Sequence, residues 1–327
     1  MRFVLVAGNT ETAKIDGISA AGESQAMMEY TPSADAEILA YGYPVFTPVL
    51  PVSPGGCPTP ALLTRAVREL VDFEFVTAEA GLPARTAAPS VVFSKKPGND
   101  VREEVAVPDA RELYRDSWSY ASELPDDELM LAETIPGGTT SAMAVLRSLD
   151  EKWMISSSLP ENPVNLKRKV VSEGLRKSGL EFGDLAGKPL EAVELMGYPV
   201  LAVTAGMLNG AAETGKSVTL AGGTQMIAAA ALARHDSVTR NMTLTTTSYI
   251  ADDDYAEIRE AADSLDLDLE ITDPGFERGK HVAMDRYLDG VAKEGAGMGG
   301  ALYLATKNGV GMKEVRERFA SIYEELV

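Results

Sequence analysis

Apolar positions along the chain change their period from place to place, and the changes mark out elements. Phe3 to Ala7 is a continuous apolar run that gives way to Gly8, Asn9 and Thr10, which predicts a buried strand and a polar turn. Leu62, Leu63, Ala66, Val67 and Leu70 recur at helical spacing behind Thr59 as cap and Pro60 in the first turn. The longest organised stretch, Pro189 to Ala233, reads as helix, helix, buried strand, glycine turn, helix. In its second helix Val200, Val203, Thr204, Met207 and Leu208 form one face. Ala205, Gly206, Gly210, Ala211 and Ala212 keep the other face small enough for close packing. The window from Ala192 to Ala212 is apolar enough to suggest a membrane span. Glu194, Pro199 and Asn209 lie inside it, however, so it is read as a buried helix of a soluble protein.

Further strands are predicted over 72–78, 129–132, 217–220, 242–247 and 267–272. Helices are predicted over 141–149, from Asn162 and Pro163 onward, where Lys167, Arg168, Lys169, Arg176 and Lys177 read as solvated helix charge, over 254–265, and over 312–326, where Val315, Phe319, Ile322 and Tyr323 share a face. Residues 41–60, rich in proline and carrying Gly55 and Gly56, read as a rigid extended loop, and 94–109 as a solvated, charged connection. Strands alternating with helices predict an α/β fold: a doubly wound, mostly parallel sheet with helices on both faces. One domain over 1–327 is expected, with a small lobe built from the two chain ends.

Composition narrows the function. With 30 basic against 49 acidic residues the net charge is -19, and no basic cluster stands out, which argues against nucleic acid and anionic membranes as partners. The acidic excess is spread along the chain, as in a surface suited to high salt. A single cysteine, Cys57, excludes an internal disulfide and fits a reducing compartment; the short apolar run at the amino terminus does not make a signal peptide, so a cytoplasmic protein is expected.

Three glycine turns carry the candidate chemistry. Glu133, Thr134, Ile135, Pro136, Gly137, Gly138, Thr139 and Thr140 follow a strand and open a helix, so hydroxyls and free helix amides there can cradle a phosphate or carboxylate. The Gly-Lys-Ser/Thr ending of a P-loop is absent. Gly222, Gly223 and Thr224 make a second turn at a strand end, where ligands of open α/β sheets bind. Lys293 to Gly300, KEGAGMGG, is the third and leaves Glu294 with little side-chain cover. Asp252, Asp253 and Asp254 lead straight into a helix and read as capping and surface charge, unlike the acidic pair of a diphosphate-dependent phosphoribosyltransferase.

Together these turns resemble the nicotinate-nucleotide dimethylbenzimidazole phosphoribosyltransferase family of cobalamin nucleotide-loop assembly, in its archaeal branch. Glu133 to Thr140 keeps the glutamate, second glycine and two threonines of the bacterial turn Glu-Met-Gly-Ile-Gly-Asn-Thr-Thr. Pro189 to Leu232 matches the central block, and Glu294, Gly295, Ala296 and Gly297 match the loop Glu-Gly-Ser/Thr-Gly. Ile135 and Ala296 depart from these patterns, and TTTSYIADDD replaces a histidine-rich strand end. The resemblance implies transfer of phosphoribose from nicotinate mononucleotide to a benzimidazole-type base. Glu294 would be the general base and Glu133 an orienting carboxylate. Lys167 would hold the phosphate, with Gly137, Gly138, Thr139, Thr140, Gly222, Gly223, Thr224, Gly295 and Gly297 around the substrates. It implies a homodimer whose partners are small molecules, with neither metal nor cofactor. The alternatives are a nicotinate-nucleotide-binding protein without turnover and a phosphoribosyltransferase using a different base such as a purine.

Overall fold

The computed structural model describes residues 1–47 and 50–327. Its seven strands are β1 (Arg2–Ala7), β2 (Glu74–Ala80), β3 (Ser90–Ser94), β4 (Glu128–Thr134), β5 (Ser217–Ala221), β6 (Met242–Thr247) and β7 (Leu267–Thr272). They form one sheet in the order β3-β2-β1-β4-β5-β6-β7, with every pairing parallel. The apolar run of β1 follows from its central place, where both faces are covered. At the edges the pattern weakens: Val92 of β3 is exposed, and burial along β7 is only partial. The short β3 and the helices Thr31–Tyr41 and Ala110–Glu123 are not anticipated by apolar period. Thr31–Tyr41 is buried nearly all round and so shows little amphipathic contrast.

Helices cover both faces. On one, Pro199–Glu213 packs against Ala110–Glu123 and the helix that follows β5. A Cβ at Gly206 would lie 2.3 Å from the Tyr114 carbonyl oxygen, and one at Gly210 2.3 Å from that of Trp118, so the two helices touch backbone to backbone. On the other face segments from the two chain ends meet. Leu62, Leu63 and Val67 of the helix Ala61–Leu70 share a core with Met298, Leu302, Val315 and Phe319. In the proline-rich segment, the amides of Val45 and Phe46 donate to the buried Glu37 carboxylate at 2.6 and 3.1 Å, and Val52 bridges Pro58. Pro48 and Val49, within the expected extended loop, lie outside the described residues. Among the described residues no helix is long and apolar enough to cross a membrane.

Strand order reverses between β1 and β4. The crevice at the carboxyl ends of these strands is the topological switch point of such a sheet, where ligands bind.

Candidate active site

Glu133 sits at the end of β4, its backbone fixed by the sheet, and projects into a cleft of about 980 Å³ above the switch point. Glu294 enters the same cleft from the loop before the helix Met298–Lys307. The two turns are tied together, since the Ala296 amide donates to the Glu133 carbonyl at 3.0 Å and the Thr64 hydroxyl to the Ala296 carbonyl at 2.9 Å. Gly297 makes this approach possible. At φ 72° it is left-handed, and a Cβ there would lie 2.6 Å from Ala132 and from the Phe3 ring.

The two carboxylates are surrounded differently. Glu294 keeps part of its surface open to the cleft but is crowded by protein, and burial lifts it to about 7. The Gly299 amide donates to its two oxygens at 3.0 and 3.1 Å and the Gly295 amide at 3.2 Å, which favours the ionised form. Glu133 is lifted to about 8 by burial, by the charge of Glu294 and by that of Asp35. Its one opposing contact is a 2.6 Å bond from the Gln225 amide. Asp35 is a third cleft carboxylate, 3% exposed, raised to about 6 by burial against donation from the hydroxyls of Thr59 and Thr134, each at 2.6 Å. Both glutamate carboxyls thus sit well above their ordinary range, and the amides aimed at Glu294 favour its ionised form.

The structure places the expected site residues unequally. Gly137, Gly138, Thr139, Gly223, Thr224 and Gly295 line the cleft with the two glutamates. Gly222 spends its amide on the Thr245 carbonyl at 3.0 Å, the Thr140 side chain is buried without a partner, and Gly297 packs toward the sheet. Lys167 is 1% exposed and lies behind the cleft wall, where its ammonium donates to the Ser156 carbonyl at 2.7 Å. Burial, helped by the charge of Lys293, lowers it to about 7. The helix charge there is therefore not solvated.

The aspartate triplet needs correction. The helix begins at Ile258, not at Asp254, and Asp253 turns inward: its side chain is 5% exposed and accepts from Lys293 at 2.8 Å and from the Ser156 hydroxyl at 2.6 Å. Period and spacing give no sign of this pairing, nor of Asp35 and Gln225; the one available signal for Lys293 is its place beside Glu294. Among the described residues no three histidine, cysteine or carboxylate side chains converge as metal ligands do.

No family model matches the chain. A UPF0284 protein of Halobacterium salinarum is 57% identical over 325 residues, covering 99% of this chain and 98% of the relative. The chain belongs to the UPF0284 family. Other UPF0284 proteins are those of Methanosarcina acetivorans, 39% identical over 98% of this chain and 93% of its own, and Pyrococcus abyssi, 38% identical over 99% and 97%. Among solved structures this UPF0284 chain is similar to the nicotinate-nucleotide-dimethylbenzimidazole phosphoribosyltransferase of Thermus thermophilus, with TM-score 0.63 and 16% identity over 98% of this chain and 82% of the other. A structure of CobT from the same organism matches with TM-score 0.64 and 17% identity over 98% and 83%. At that identity the likeness is one of fold: the seven-stranded parallel sheet of this UPF0284 protein is CobT-like.

Proposed function

We propose that the protein moves phosphoribose from nicotinate mononucleotide to a benzimidazole-type base, giving an α-ribazole phosphate and nicotinate for cobalamin biosynthesis. The observation that carries this reading is the pair Glu133 and Glu294, two carboxyls raised by burial in one cleft at the switch point, with backbone amides aimed at Glu294 and the Gln225 side-chain amide at Glu133. In the donor the glycosidic nitrogen is a pyridinium. Nicotinate leaves with the electron pair of the C–N bond and needs no proton, and no diphosphate is formed for a metal to stabilise. As one ring nitrogen of the acceptor bonds to the anomeric carbon, the N–H on the other becomes strongly acidic. Glu294 accepts that proton, while Glu133, protonated and held by Gln225, orients the base or the ribose hydroxyls.

At the phosphate end, amides of the turn from Gly137 to Thr139 and of Gly223 donate hydrogen bonds, while the Thr140 amide is held by the Gly137 carbonyl at 3.2 Å, and Lys167 adds positive charge from behind the wall. The protein acts as a homodimer in this reading, and a monomer by light scattering at assay concentration overturns that part. The main test incubates the protein with nicotinate mononucleotide and a panel of benzimidazoles, hydroxybenzimidazoles and purines, and follows nicotinate release and the nucleotide product. Glu294→Gln is expected to slow turnover by about 10²- to 10⁴-fold with nucleotide binding nearly intact. Binding without nicotinate release from any base makes the protein a nucleotide-binding module instead.

A further inference from the structure

The wall of the cleft beside Glu294 holds a buried charge cluster of which the transfer chemistry uses only Lys167. Lys293 lines the cleft, its side chain 10% exposed, and the one partner of its ammonium among the described residues is Asp253 at 2.8 Å. Asp253 is itself held by the Ser156 hydroxyl at 2.6 Å, and the carbonyl of Ser156 is held by Lys167 at 2.7 Å. Next along the wall, the Ser157 hydroxyl accepts from the Leu159 amide and the Ser158 hydroxyl from the Ala20 amide, both at 3.2 Å. Both serines line the cleft, and among the described residues neither hydroxyl proton has an acceptor. An ammonium with two N–H bonds to spare and two free hydroxyl protons thus line the same cleft, on segments joined by the bond from the Ala292 amide to the Ser158 carbonyl at 3.2 Å. Donors without acceptors in a nearly buried place are costly unless a ligand supplies the oxygens.

We infer that Lys293, anchored by Asp253, is the cation that touches the phosphate of a phosphomonoester in the cleft, with the hydroxyls of Ser157 and Ser158 completing the subsite and Lys167 acting from behind through Ser156. This rests on the nucleotide reading for the identity of the ligand but on the cluster alone for its phosphate. A dianion there faces Lys293 and Lys167 against Asp253, in a cleft that also holds Glu294, and its charge favours the protonated form of Lys167, which burial otherwise disfavours. Hydrogen bonds from Lys293 and Ser156 outweigh the burial of Asp253 and hold it below its ordinary range, so it remains an anchor rather than a proton donor.

The test compares binding of nicotinate mononucleotide, its dephosphorylated riboside and ribose 5-phosphate by calorimetric titration. Lys293→Met strands a buried aspartate, so the double variant Lys293→Met with Asp253→Asn, which removes both charges together, is measured beside it. Both are expected to lose affinity for the two phosphorylated ligands on the order of ten- to a hundredfold while the riboside binds as before. Lys293→Arg should retain most of the preference. If the double variant keeps the wild-type preference for the nucleotide over the riboside, the inference is wrong even though phosphoribosyl transfer stands. If the wild type ignores the nucleotide yet binds ribose 5-phosphate in a Lys293-dependent way, the inference stands and the nicotinate reading falls. A wild type that binds neither phosphate ester overturns the subsite.

Discussion

Burial raises both Glu294 and Glu133, to about 7 and about 8, while backbone amides point at the first and neighbouring carboxylates act on the second. Turnover that needs Glu294 ionised and Glu133 protonated should rise through about 7 and fall through about 8. Glu133→Gln keeps an oxygen for the Gln225 amide and cannot ionise, so it should remove the alkaline limb of the pH profile of kcat and leave the acid limb. A wild-type alkaline limb in that variant would reject Glu133 as the group responsible. The same shifts bear on stability. Glu133, Glu294 and Asp35 hold protons more tightly folded than unfolded, so the native state binds more protons from about pH 4 to about 8 and stability falls as pH rises through that window. Lys167, lowered to about 7, has the opposite sign and adds stability as pH rises above that value. Urea midpoints of the ligand-free protein should therefore decline from pH 5 to 8, and more shallowly for Glu133→Gln; equal slopes would show that Glu133 does not titrate in this range.

Between elements, the contact of Pro199–Glu213 with Ala110–Glu123 is sensitive to a single added carbon. Gly206→Ala puts a methyl group 2.2 Å from the Ser117 hydroxyl and 2.3 Å from the Tyr114 carbonyl, and the helices must part to admit it. The expected loss is about 1–3 kcal/mol, seen as a lower urea midpoint with an unchanged slope. The site, at the carboxyl ends of the central strands, should keep its nucleotide affinity. A variant as stable as the wild type would mean that the helix pair is loose. The glycines of the loop from Lys293 to Gly300 work differently: they give Glu294 its amide donors and let the loop lie against β4, so their effect belongs to the site.

For the whole molecule, charge is the dominant feature. A formal net charge of -19 makes the folded chain repel itself, and salt screens that repulsion over a distance of about 10 Å at 0.1 M. Stability should rise from low to molar salt, and a flat melting temperature across that range would remove the high-salt reading of the surface. Buried pairs such as Lys293 with Asp253 are screened far less, so nucleotide binding through the cleft wall should respond to salt more weakly than stability does.

The sequence alone settles what depends on neighbouring residues. The strand Met242–Thr247, the strand Leu267–Thr272 and the helix Met312–Leu326 form where apolar period predicts them, and the α/β class follows from their alternation. Glu133 and Glu294 could be singled out because each stands beside glycines in a turn. Whether a charged side chain is solvated or buried is a different matter, set by what packs on it from far along the chain. Lys293 meets Asp253 across 40 positions, Gln225 meets Glu133 across 92 and Thr134 meets Asp35 across 99. No local pattern encodes such pairings, so Asp253 read as a cap and Lys167 as a solvated helix charge until the sheet brought β4, β5 and β6 side by side and closed the walls of the cleft around them.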